Sequence, residues 1–359
     1  MTALATAAPI GRPKATYVPS LDGLRAVAVG TVMLAHAGVP GLLGGKTGVL
    51  LFFALSGFLI TSILLREAEA RGTISFRRFY ARRFLRLLPA MLLVIAATVV
   101  FAAIVADQAT MQRTPAALLY FINWTQVAGA DAGLFSHYWS LAVEEQFYLV
   151  WPFLLVLLFR WMGRNGVVAG ALLGAAISIG VKWLVEIGPG RHAGTDFAAD
   201  ALLLGCALAA ASPTWSGRLG RASRVAFWPA VAAIGAALML GNSGGAATAE
   251  EYAEYARIWW PISAVAATTV IAAFIYDTAP RWVRRILSLP PIVYLGRISY
   301  GMYLWHILVL AVVSSDLNPF VGLPARLVLT FGVTIALAAL SFELVEKRFL
   351  LLKRRYESA

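Results

Sequence analysis

The sequence is poor in charge and nearly devoid of cysteine. Only 13% of its 359 residues are Asp, Glu, Lys or Arg, about half the share that covers the surface of a soluble domain. With 60% apolar residues and a mean hydropathy of +0.76, both an ordinary water-soluble enzyme and a disordered chain are excluded. The single cysteine, Cys206, excludes an internal disulfide and a thiolate metal cluster. Histidine is scarce as well, and no His-Glu-x-x-His spacing occurs, so no metal is expected. Residues 1–20 hold no apolar core and do not read as a cleavable signal peptide. No internal repeat of half length is visible, which removes the main signature of a secondary transporter.

What the chain has in quantity is long apolar runs. They predict an all-α polytopic membrane helical bundle with about ten transmembrane helices, near 24–41, 48–65, 87–107, 141–159, 166–187, 197–212, 225–241, 257–276, 292–314 and 324–342. A further segment, 115–128, reads as a re-entrant or interfacial helix, because a full crossing there would send the later basic loops to the opposite side. The organisation expected is a cytoplasmic N-terminal tail at 1–20, one transmembrane domain at 21–346 and a basic cytoplasmic tail at 347–359.

Acidic residues are the minority, 18 against 30 Lys and Arg, for a formal charge of +12. In a soluble protein that excess would raise the question of nucleic acid. Here 22 of the basic residues fall in alternate connections, from Arg12 and Lys14 to Arg354 and Arg355, and only Lys46, Arg113, Arg191 and Arg257 fall in the others. The partner expected is therefore a lipid bilayer and not nucleic acid, in the cytoplasmic (inner) membrane with both termini cytoplasmic.

Ionisable residues inside such runs are expensive and point to function. Arg25 and His36 are eleven positions apart, which brings them to one helix face about 16 Å apart along the axis: a cation near one end and a base near the other. In His137-Tyr-Trp139-Ser-Leu-Ala-Val-Glu144-Glu145, two adjacent carboxylates enter a span from the side on which His36 lies. A carboxylate, Glu144 in preference to Glu145, reaching the His36 imidazole would fix its tautomer and raise its basicity for taking a proton from a hydroxyl. The arginine-rich loop contains Arg82, Arg83 and Arg86, whose forks match phosphate geometry; a topology signal that binds lipid headgroups is the other reading. Ser56-Gly57 interrupts an apolar run, and Ser299, Tyr303 and His306 form a polar stripe by helical spacing, lining a passage or locking the core. Asp196 and Asp200 flank the start of the run at 197–212, where an acceptor role and helix N-terminal stabilisation both fit.

Together these blocks resemble the membrane acyltransferase-3 family, integral-membrane O-acyltransferases of glycans, sugars and natural products. The resemblance runs from Val18-Pro-Ser-Leu-Asp-Gly-Leu-Arg25 and His36 through Phe52-Phe-x-x-Ser-Gly-Phe-Leu, Arg83-x-x-Arg86, the His137 block and Tyr294-Leu-Gly-x-Ile-Ser-Tyr to Glu346-Lys. It implies an acyl-CoA donor, acetyl-CoA first, supplied from the cytoplasm, with a carbohydrate or other hydroxylated acceptor. It also implies essential roles for Arg25 and His36, a functional pair in Arg83 and Arg86, and an active region around Trp139 and Glu144. Two departures stand out: Leu50 where a polar residue commonly follows Gly-Val, and Arg348 where proline is usual. The absence of an esterase-like extracytoplasmic portion in this sequence resembles the stand-alone members. Direct transfer and a two-step path through acyl-His36 are both open.

Overall fold

The computed structural model describes residues 17–42, 45–188, 190–241, 248–314 and 322–353. Arg12, Lys14, Arg354 and Arg355, which entered the charge count, lie outside the described residues. Every regular element among the described residues is helical. Among the described residues six helical stretches are long and apolar enough to cross a membrane, or seven if Pro290–Arg297 and Ser299–Val313, bent by 70° at their junction, form one broken span. The chain is thus a multi-pass membrane helical bundle, with six or seven membrane-length helices by length and composition where the hydropathy pattern predicts about ten crossings.

The difference lies in short and folded-back helices. Helix α1, Pro19–His36, starts with proline in its first turn and has only 18 residues. Helices α2, Lys46–Arg71, and α3, Phe76–Ile104, are joined by a sharp turn in which Gly72 adopts the left-handed conformation that caps α2. Helices α4, Gln108–Leu118, and α5, Ile122–Val127, replace the segment expected at 115–128 and are both too short to cross. Helix α6, Trp139–Leu184, holds two of the expected spans and breaks at Gly163, where φ is +60° and ψ is −151°, a conformation open to glycine alone. A β-carbon on Gly170 would lie 2.5 Å from Leu158 Cδ1, so the two arms of α6 fold against each other as a hairpin.

After the four-residue α7, Thr195–Ala198, helix α8 covers Asp200–Leu240. A straight helix of that length would separate its ends by about 60 Å. Yet Asp200 bonds Trp260 Nε1, while Gly241 packs on Tyr255, five positions before Trp260. Helix α8 therefore also doubles back. The remaining elements are α9, Ala249–Glu254, α10, Trp260–Ile275, α11, Arg281–Leu287, α12, Pro290–Arg297, α13, Ser299–Val313, α14, Leu323–Ser341, and α15, Lys347–Lys353.

Helix α2 runs through the centre. Its Gly57 meets α8 so closely that a β-carbon would stand 1.9 Å from Leu202 O, and on α8 Gly205 presses on Ala54 O in the same way. Small residues at this crossing let the two backbones touch, which fixes the height and direction of the neighbouring Ser56. On the other side of the bundle, Lys182 and Asp200 form an ion pair with no exposed surface, 3.1 Å apart, completed by Phe197 O and Trp260 Nε1.

Candidate functional site

Five helices converge on a partly open chamber of about 160 Å³. Arg25 comes from α1, Ser56 and Phe53 from α2, Arg83 and Arg86 from α3, Ser140, Glu144, Glu145 and Tyr148 from α6, and Ser299, Tyr300 and Tyr303 from α13. The charged groups gather toward the Arg25 end of α1, and Val49, Phe52 and Phe53 give the chamber an apolar side. A site with cations at one end and apolar walls beyond suits a ligand whose anionic head is followed by a less polar chain.

The arginines of the predicted cluster divide by partner. Arg83 is held by Glu145, with Nε 3.0 Å from both carboxylate oxygens and Nη2 2.5 Å from Oε1, and its guanidinium lies 3.3 Å from the centre of the Tyr148 ring. That geometry satisfies the guanidinium fork internally. Arg82 turns away to Glu67, 3.5 Å distant, and does not line the chamber. Arg25 faces Asp22 at 3.8 Å. Arg86 lines the chamber and makes no ion pair or hydrogen bond among the described residues. Glu144 sits beside Ser56 with Oε1 buried and unpartnered.

His36 lies at the opposite end of α1 and is not in the chamber wall. The sequence pattern pairs it with Glu144; in the structure its partner is His306, whose Nε2 lies 3.1 Å from His36 Nδ1. His306 Nδ1 in turn lies 2.6 Å from Tyr303 O. A carbonyl oxygen only accepts, so His306 carries its proton on Nδ1 and presents a bare Nε2. His36 Nδ1 must then donate to it. The neutral His36 ring is left with an unprotonated Nε2, on an exposed residue lining an open depression with Gly38, Ile307, Leu310, Ser314 and Arg326.

A partition of side chains separates depression from chamber. The His137 ring lies 4.9 Å from His306 and 5.4 Å from Tyr303, centre to centre. The Tyr303 hydroxyl lies 2.8 Å from His137 O and 2.7 Å from Ser140 Oγ, and both Tyr303 and Ser140 line the chamber. His137 itself is buried, and neither ring nitrogen has a hydrogen-bond partner among the described residues. Buried polar groups without partners are rare enough to mark a place where something else binds or moves.

Trp139 is buried behind the chamber, its ring edge-on to Phe53 at 6.0 Å and against His192 at 5.1 Å. His192, on the loop before α7, is enclosed by Trp139 and Tyr252, and burial pushes its imidazole well below the ordinary range, with nearby Lys46 adding to the effect. Gln146 ties the site to its surroundings: its amide donates to Tyr120 O at 2.7 Å, and its oxygen accepts from Trp124 and Thr195. The sequence reading did not single out Gln146, Tyr120, Tyr148, Tyr300 or Arg326. For Arg326 a signal was present, a lone basic residue at the His36 end of an otherwise apolar run. Among the described residues no group of three or more His, Cys, Asp or Glu is placed to hold a metal ion.

Comparison with known proteins gives one family, described as an acyltransferase domain, matching residues 18–343. The peptidoglycan O-acetyltransferase OatA of Listeria monocytogenes is 32% identical over 350 residues, covering 92% of this chain and 55% of its own length. The O-acetyltransferase OatA of Staphylococcus aureus is 31% identical over 315 residues, covering 83% of this chain and 51% of its own. The chain thus spans just over half the length of these curated relatives. No solved structure matches it significantly.

Proposed function

Because the chain belongs to the membrane acyltransferase-3 family, we propose that it moves an acyl group, acetyl first, from acyl-CoA to a hydroxyl of a carbohydrate or glycoconjugate. The observation that carries this reading is the tautomer chain from Tyr303 O through His306 to His36, which leaves an unprotonated Nε2 on a residue that lines an open depression. A base held in one protonation state beside a place for a hydroxyl is what acyl transfer to an alcohol requires.

The placement in the membrane follows the charge. To the seven membrane-length units are added α1, the second arm of α6 and the apolar stretch Asp200–Ala211, which together give ten crossings with both termini cytoplasmic, in the cytoplasmic membrane. The Arg25 end is then inside and the His36 end outside. A donor carrying phosphates enters from within, its phosphates on Arg86 and Arg25, and its thioester points along the apolar side of the chamber toward Tyr303 and Ser140. The contact between Tyr303 and Ser140 parts to admit the thioester carbonyl to the partition, where His137 donates a hydrogen bond to the carbonyl oxygen as negative charge develops.

In the chemical step, His36 Nε2 takes the proton of the acceptor hydroxyl as its oxygen bonds to the carbonyl carbon. The carbon–sulfur bond breaks, and the thiolate of CoA receives that proton from the imidazolium. The likeness to OatA favours a cell-wall glycan as acceptor.

The test is to incubate the purified full chain in detergent with acetyl-CoA and a glycan extract and to follow both thiol release and acetylated product by mass analysis. Product formed without any gradient is expected. Substrate flux in sealed vesicles with no thioester consumed is the outcome of a transporter and would remove the enzyme reading.

A further inference from the structure

The depression that holds His36 also contains a guanidinium that makes no hydrogen bond or ion pair among the described residues. Arg326, in the first turns of α14, lines it together with His36, and its Nη2 lies 3.6 Å from where a β-carbon of Gly38 would be, two positions beyond His36. Its Nε is buried without a hydrogen-bond partner, and no carboxylate among the described residues pairs with it. The contrast with other cations at this end is direct. Arg191 is paired with Asp196, Arg113 donates to Asp131 O at 3.2 Å, and Arg257 donates to Lys182 O at 3.0 Å.

A buried donor left unpaired destabilises the fold unless a ligand completes it. The guanidinium fork matches a carboxylate or phosphate with two parallel hydrogen bonds. The other groups of the depression, Ala37, Gly38, Ile307, Leu310 and Ala311, are small or apolar and leave room without competing for an anion. Ser314 supplies one neutral hydroxyl at the rim.

We propose that Arg326 is the anion subsite of the acceptor: the acceptor is a sugar bearing a carboxylate or phosphate, and its pairing with Arg326 sets a hydroxyl against His36 Nε2. The word acceptor rests on the acyl-transfer reading; the anion subsite does not. In the absence of the anion a sugar has no charged anchor in the depression, so orientation at His36 depends on the subsite.

The experiment is calorimetric titration of the purified full chain in dodecyl maltoside, a phosphate-free detergent, without acyl donor. The probes are glucuronate, glucose 1-phosphate and glucose. Glucuronate and glucose 1-phosphate are expected to bind at least about tenfold more tightly than glucose. Arg326→Gln is expected to abolish that preference, Arg326→Lys to retain part of it, and Arg113→Gln to retain all of it. A preference that survives Arg326→Gln, or equal binding of the three probes, overturns the subsite whatever the transfer assay shows. Saturation by a short-chain phosphatidylglycerol, with neither anionic sugar bound, overturns it in favour of a lipid headgroup contact. If the anionic sugars bind through Arg326 and no acetyl transfer occurs, the subsite stands and the transfer reading falls.

Discussion

His306 Nε2 accepts from His36 Nδ1 across 3.1 Å, and that one contact decides which nitrogen of His36 meets a substrate. A second histidine here occupies the place that a carboxylate fills in many triads. It orients a base without adding a negative charge in the apolar surroundings of α1 and α13.

Replacing His306 by Ala is expected to lower kcat by roughly 10- to 100-fold, the usual scale for a group that orients another, with KM for acetyl-CoA little altered. His306→Gln, which keeps an acceptor oxygen, is expected to restore part of kcat. Steady-state kinetics on both variants distinguishes this from a general loss of fold, which the glutamine variant would not rescue.

Arg83 and Arg86 are three residues apart on one helix edge and make opposite predictions. Arg86 makes no ion pair or hydrogen bond among the described residues, so Arg86→Gln is expected to raise KM for acetyl-CoA by about tenfold or more, the worth of a charge-assisted hydrogen bond, with thermal stability nearly kept. Arg83 holds Glu145 through both carboxylate oxygens. Arg83→Gln is therefore expected to cost about 1–3 kcal/mol of stability, read as a lower Tm in detergent, and a double variant with Glu145→Gln to recover part of it.

The Lys182–Asp200 pair, fully enclosed between α6 and α8, is expected to matter for stability alone. Lys182→Met leaves a buried carboxylate without its cation, a change on the order of 3–5 kcal/mol. Lys182→Met with Asp200→Leu is expected to be more stable than the single variant. Thermal unfolding of the three proteins checks the order.

Much of the bundle was legible because hydropathy reports burial in lipid directly. The run at 48–65 falls within α2, and the run at 87–107 overlaps α3 up to its end at Ile104. The two runs at 141–159 and 166–187 correspond to the arms of α6, and the turn between them depends on Gly163, one of several glycines in that stretch that the pattern does not separate from packing glycines. Arg25 and His36 were legible as the two ends of one helix face, since 3.6-residue periodicity is local. The partner of His36 was not. Glu144 and His306 are both polar residues in apolar helices, and only the packing of α13 against α1 places His306 at the imidazole while the hairpin of α6 turns Glu144 to the chamber. The burden on Arg83 was also hidden, because nothing in its spacing from Arg86 tells that Glu145 has taken one fork and left the other open.

The most direct test of the account is nitrogen NMR of the full chain labelled with ¹⁵N-histidine, where only four histidines need assignment and variants at His36 and His306 identify two of them. At a pH where the ring is neutral, the account predicts that His36 carries its proton on Nδ1 and leaves Nε2 bare, and that this preference is lost in His306→Ala. A His36 ring protonated on Nε2, or a tautomer indifferent to His306, would contradict it.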